Sequence, residues 1–181
     1  MTLRLVTICT HNRTRSVLMG ALLADHFGEL DVVTDITTAG TMADGRPVTA
    51  TTVQLLAERG IDASAHVSGA ITAEMVKRAH LVITAEIGHV VHVAASWPAA
   101  FDRTFTLPEL VQRGEAAGPR DGRPIAVWLT DVGHNRPRGY DYLAGHAIPE
   151  VDDPTGRSAA VWHQSFTEID HLCARLARLV A

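Results

Sequence analysis

Short apolar, partly β-branched runs alternate along this chain with longer segments of helical period, and that alternation restricts the fold more than any other feature. Residues 3–8, 32–38, 80–84 and 101–107 predict four strands. Residues 16–27, 48–59, 73–79, 88–96 and 158–180 predict helices, with Gly28 and Gly60 as stops after the first two. The last helix carries Val161, Phe166, Ile169, Leu172, Leu176 and Leu179 on or near one face. Strands joined by helices run parallel and are covered on both faces, which predicts an α/β fold. A length of 181 residues predicts one domain over 1–181. Residues 118–124 read as a turn-rich break and 136–150 as an irregular loop, so 114–150 forms a variable insertion.

Composition removes several classes of function. With 46% hydrophobic and 20% charged residues the chain is globular, and a net charge of −4 gives no basic field for nucleic acid or an anionic membrane. The apolar stretch 81–101 is interrupted by Glu86, His89, His92 and Pro98 and does not predict a membrane span. The first nine residues hold too short an apolar run for a signal peptide, and the two cysteines, Cys9 and Cys173, make no disulfide framework. A reducing cytoplasm is the expected compartment. The ten histidines are scattered without metal-ligand spacing, and His89 with His92 reads as a structural pair, so neither metal nor cofactor is expected.

In a parallel α/β sheet, ligands bind at the carboxyl ends of the strands where the strand order reverses, so the loop after the first strand is the first place to look. It reads Cys9-Thr-His-Asn-Arg-Thr-Arg15-Ser16 and opens onto a helix. Successive backbone N–H groups leading into a helix N-terminus cradle an anion. The same field favours the thiolate of Cys9 and makes it nucleophilic. Arg15 can offer two parallel donors to phosphoryl oxygens, and Ser16 can donate to the sulfur when it leaves.

From this loop onward the chain resembles the low-molecular-weight protein tyrosine phosphatase family. Ile8 to Leu23 matches the family's signature loop and first helix, and Thr38-Ala-Gly-Thr41 its Ser-Ala-Gly-Thr segment. Gly60-Ile-Asp-x-Ser-x-His66-x-Ser68 resembles the middle motif and Phe105-Thr-Leu-x-Glu-Leu110 a later one. Val151-Asp-Asp-Pro154 resembles the loop that carries the general acid. The resemblance implies a single flavodoxin-like domain, a three-layer α/β/α sandwich with a four-stranded parallel sheet, and a metal-free mechanism through a phosphocysteine. By position, Cys9 is then the nucleophile, Arg15 the phosphoryl clamp and Asp153 the acid and base. Thr10, His11, Asn12, Arg13, Thr14 and Arg15 bind the phosphoryl group, while Asn12, Ser16 and His66 hold the loop in shape. A phosphoprotein or small phosphomonoester is the implied substrate, and a monomer or weak homodimer the implied state.

The chain departs from the family pattern at several points. His11 stands where the family has glycine, Arg13 where it has an apolar residue, Thr14 where a second cysteine is common, and Gly69 where arginine is expected. Thr155 replaces the aromatic residue after Asp-Pro, and Met42, Ala43 and Asp44 supply no aromatic either, so a slot for a phosphotyrosine ring has weak walls. Tyr140 or Tyr142 is the remaining source of a ring. Two alternatives stand beside the phosphatase: a thiol-dependent arsenate reductase, and a phosphate-binding module with impaired turnover.

Overall fold

β1 (Leu3–Cys9) is buried along nearly its whole length, which is why it reads as a continuous apolar run rather than an alternating one. In this computed structural model, which describes residues 2–144 and 147–181, β1 pairs in parallel with β2 (Thr34–Gly40) and with β3 (Leu81–Thr84). β3 pairs in parallel with β4 (Thr104–Thr106), so the sheet order is β2-β1-β3-β4. The register sets Cys9 beside Gly40 and Ile8 beside Thr84. Strand order therefore reverses between β1 and β3, and the crevice beyond their carboxyl ends is where such a sheet binds ligands. Met1, Gly145 and His146 lie outside the described residues; the latter two fall within the stretch read as an irregular loop.

Alternate residues of the central strands face two different cores. On one face Leu3, Leu5, Leu81 and Ile83 pack under α1 (Arg15–Glu29) and α8 (Ala159–Val180), where Leu18, Leu22 and Phe27 meet Ile169, Cys173 and Leu176. On the other, Val6, Ile8 and Val82 meet Val76 of α3 (Ala73–Arg78) and Val93 of α4 (Ile87–Ser96). The result is the expected three-layer sandwich. Gly20 marks the closest approach of α1 to the sheet: a Cβ there would stand 2.6 Å from Thr38 Cγ2. Between β2 and α3, α2 (Ala50–Glu58) closes with Gly60 in the left-handed region (φ +75°), its amide on Ala57 O and that of Ile61 on Leu56 O. No helix among the described residues is long and apolar enough to cross a membrane.

Four sequence readings change. The first helix runs through Gly28 to Glu29, and the left-handed residue that reverses the chain is Asp31 (φ +56°). Residues 101–107 are not one strand. A 3-10 turn, Pro98–Arg103, precedes a three-residue β4, and Leu107 already opens α5 (Leu107–Ala117). Thr106 caps that helix by accepting from the Glu109 amide, with Pro in the first turn, a start signal that the short strand concealed. The turn-rich break is followed by α6 (Ile125–Val132), whose Trp128, Leu129 and Val132 belong to the main core. Finally, α7 (Tyr140–Ala144) lies inside the stretch read as a loop, and its Tyr142 is buried. Residues 125–144 thus pack into the fold.

Candidate active site

Cys9, the last residue of β1, is 3% exposed at the floor of a cleft of about 340 Å³. The five residues that follow turn into α1 and are tied down from three sides. The Thr41 and Met42 amides donate to Cys9 O and Thr10 O, and the Thr49 amide donates to Arg13 O. Asn12 is left-handed (φ +53°), a conformation asparagine tolerates, and its side chain is buried inside the loop. Its amide group donates to Thr38 Oγ1 (2.8 Å) and Ser16 Oγ (3.0 Å), and its side-chain oxygen accepts from the Gly69 amide (2.9 Å). His66 Nε2 lies 2.9 Å from the Asn12 carbonyl. Gly40 is required beneath: a Cβ would come within 2.7 Å of Thr10 O and 2.9 Å of Asn12 N.

The Ser16 hydroxyl (3.1 Å) and the Asn12 amide (3.2 Å) both reach Cys9 Sγ, and negative charge on the sulfur gains from both donors. Thr14 is the N-cap of α1 without a side-chain cap, and among the described residues the amides of His11, Arg13 and Thr14 have no protein acceptor. Open donors at a helix N-terminus of this kind can take an anion. Arg15, the first residue of α1 and 3% exposed, spans the cleft. Its Nη1 donates to Glu86 Oε2 (2.7 Å) and Val151 O (3.1 Å), and its Nη2 to Asp153 Oδ2 (2.9 Å). Asp153 accepts from the Thr155 amide at its other oxygen (2.9 Å). Burial raises its proton affinity, but the Thr155 amide and hydroxyl, Arg15 and His11 outweigh burial and hold the carboxyl below its ordinary value. The resting site therefore presents a carboxylate.

The family model for low molecular weight phosphotyrosine protein phosphatases matches residues 4–118. The chain belongs to that family. It is 34% identical over 131 residues (71% of this chain, 85% of the relative) to a protein-arginine-phosphatase of Geobacillus stearothermophilus. Among solved structures it resembles a YwlE arginine phosphatase in which a serine replaces the active-site cysteine and carries phosphate. That match has a TM-score of 0.72 and 23% identity over 97% of this chain and 93% of the other. A low molecular weight protein tyrosine phosphatase from T. tengcongensis gives the same TM-score and identity, covering 96% of this chain and 97% of the other. These likenesses carry the fold, and the family carries the chemistry: the protein is a cysteine-dependent phosphatase.

Most residues expected from the phosphatase signature meet in one place. Cys9, Thr10, His11, Arg13, Thr14, Arg15 and Asp153 line the cleft, and Asn12, Ser16 and His66 brace it from behind. His11 stays out of the left-handed region, which falls on Asn12 instead, so the missing glycine costs no backbone strain. Its Nδ1 lies 3.1 Å from Met42 O, while Arg13 donates to Pro47 O (2.7 Å). The tyrosines supply no wall: Tyr140 is exposed, and the Tyr142 hydroxyl donates to Glu109 (2.9 Å) in the interior. Cys173 is buried on the α8 side with its sulfur toward Met19 O, and brings no second thiol to the cleft.

Three site residues escaped the sequence reading: Thr49, which lines the cleft, Glu86 and His89. Glu86 follows β3 and binds Arg15 from below; His89, read as half of a structural pair, is 3% exposed with Nε2 3.1 Å from Thr10 Oγ1. Their signal was position, since a Glu and a His one turn apart directly after β3 must border the crevice between β1 and β3. No group of three His, Cys, Asp or Glu able to hold a metal occurs among the described residues.

Proposed function

We propose that this phosphatase works by two in-line displacements at Cys9, with Arg15 and Asp153 as its partners. Cys9 Sγ attacks phosphorus, the S–P bond forms, and the bond to the leaving group breaks as Asp153 gives that group its proton. Water then attacks the phosphocysteine, Asp153 takes its proton, and the thiolate leaves with the Ser16 hydroxyl on it. The contact of Arg15 with Asp153, 2.9 Å across 138 positions of sequence, carries this reading because it sets an acid beside the phosphoryl clamp. The bound phosphoryl group competes for Arg15 and adds negative charge next to Asp153. Both effects raise the proton affinity of the carboxyl that the resting site keeps ionised. A reducing cytoplasm suits a lone reactive thiol.

The leaving group is a protein side chain in this reading, and phosphoarginine is favoured over phosphotyrosine. Among the described residues no Phe, Tyr or Trp lines the cleft, Thr155 stands beside the acid, and the relative that is 34% identical over 131 residues is named for arginine. A departing guanidine needs a proton as much as a phenolate does, so Asp153 serves either substrate. The test is kcat/KM for one peptide carrying phosphoarginine or phosphotyrosine at the same position. At least about tenfold preference for phosphoarginine is expected, equivalent to 1.4 kcal/mol of transition-state binding. The reverse preference assigns the site to aryl phosphates.

A further inference from the structure

His89 is a buried neighbour of the Cys9 loop. It sits one turn into α4, is buried, and touches the loop through Nε2, which lies 3.1 Å from Thr10 Oγ1 and 3.5 Å from Glu86 Oε1. Its other ring nitrogen, Nδ1, is buried with no hydrogen-bond partner among the described residues. Burial pushes the imidazole down to about 4, against the pull of Glu86 and with the push of Arg15, so the ring is neutral at physiological pH and carries one proton. The proton belongs on Nε2. A buried N–H without an acceptor is rarer than an unused lone pair, and a carboxylate oxygen faces Nε2.

With the proton on Nε2, the contact with Thr10 has one direction: His89 donates and Thr10 Oγ1 accepts. The hydroxyl proton of Thr10 must then point elsewhere. Among the described residues no other side chain or carbonyl is hydrogen-bonded to Thr10 Oγ1, and Thr10 lines the cleft one residue beyond Cys9. We infer that the His89 Nε2–H, which Thr10 Oγ1 meets at 3.1 Å and Glu86 Oε1 faces only at 3.5 Å, fixes the Thr10 hydroxyl as a side-chain donor to the bound phosphoryl group. Thr10 is thereby a binding residue through its side chain, and His89 a positioning residue acting through it. The inference rests on the phosphatase reading of the Cys9 loop and adds a donor that the loop's amides and Arg15 do not supply.

Thr10→Val removes the hydroxyl at nearly constant shape, and His89→Leu removes the group that aims it. We expect each to lower kcat/KM for p-nitrophenyl phosphate by about tenfold or more, the scale of a hydrogen bond to an anion, and to weaken inhibition by inorganic phosphate in parallel. The double variant should be no worse than the poorer single one, because both changes remove one donor. Thr10→Ser should retain most of the rate. His89→Gln, whose amide can donate to Thr10, should recover part of what His89→Leu loses. Independent, multiplying losses in the double variant, or a Thr10→Val enzyme with unchanged phosphate inhibition, would overturn the inference. Activity that survives Cys9→Ser would instead overturn the phosphatase reading beneath it. Circular dichroism and thermal melting of each variant separate a collapsed loop from a lost donor: a folded His89→Leu enzyme with wild-type kinetics also counts against it.

Discussion

At the scale of single residues, the site depends on close approaches more than on numbers of contacts. Gly40 lies against the loop backbone, and an added methyl would meet Thr10 O at 2.7 Å, where no flexible side chain can yield. Gly40→Ala is expected to displace the loop and cut kcat by about 10²-fold or more while far-UV circular dichroism stays native, since sub-ångström shifts of a reacting group cost that much. A rate within a factor of three of wild type would show that the loop moves freely. The residues that carry chemistry locally, Cys9 with Arg15 six positions on, were legible from their spacing together with the strand before them, the helix after and the family's wider motifs. Glu86 was not, because its partner Arg15 is 71 positions away and only the sheet order brings them together. Thr38 and Gly69 are further cases: each matters through one bond to Asn12.

At the scale of elements, the stretch between α5 and the acid loop is held by a buried charge. The Arg136 guanidinium binds both oxygens of Glu109 (2.8 and 3.0 Å) and the carbonyls of Phe101 and Thr104, and stacks on the rings of Phe101, Phe105 and Tyr142. Burial and the Glu109 charge push the Tyr142 hydroxyl well up, so it stays protonated and donates to Glu109. Glu109→Gln leaves a buried cation without its counter-charge and should cost about 3–5 kcal/mol, read as a lower urea midpoint at unchanged slope. Glu109→Gln with Arg136→Met together should cost less than the first alone; a larger combined loss would contradict the account. Long helices were readable from period, as in α8. The others were hidden by their brevity and their partners: α6 has eight residues, and α7 has five around a tyrosine whose burial no local pattern announces.

At the scale of the molecule, the same buried imidazole links stability to pH. His89 is neutral in the folded state down to about pH 4, whereas the unfolded chain takes up that proton near the ordinary histidine value of 6.5. Between those values the unfolded state binds more protons, so stability falls as pH falls, by about 1–3 kcal/mol from this residue. The melting temperature should therefore drop from pH 7 to pH 4.5, and drop less in His89→Gln; equal drops would remove His89 from the explanation.

A four-stranded parallel sheet with the site after its first strand followed from alternation and the family's motifs; the order β2-β1-β3-β4 is the structure's own. The full lining of the cleft did not follow, because Thr49 and Glu86 reach it from segments outside the Cys9 loop. The most direct test of the whole account is p-nitrophenyl phosphate hydrolysis in EDTA between pH 4 and 9 by wild type, Cys9→Ser and Asp153→Asn. The account predicts an EDTA-resistant, bell-shaped rate that Cys9→Ser abolishes. Asp153→Asn should lower it by about 10²–10⁴-fold and flatten its alkaline limb, where the acid would lose its proton. A rate that survives Cys9→Ser, or one that needs added metal, would contradict it.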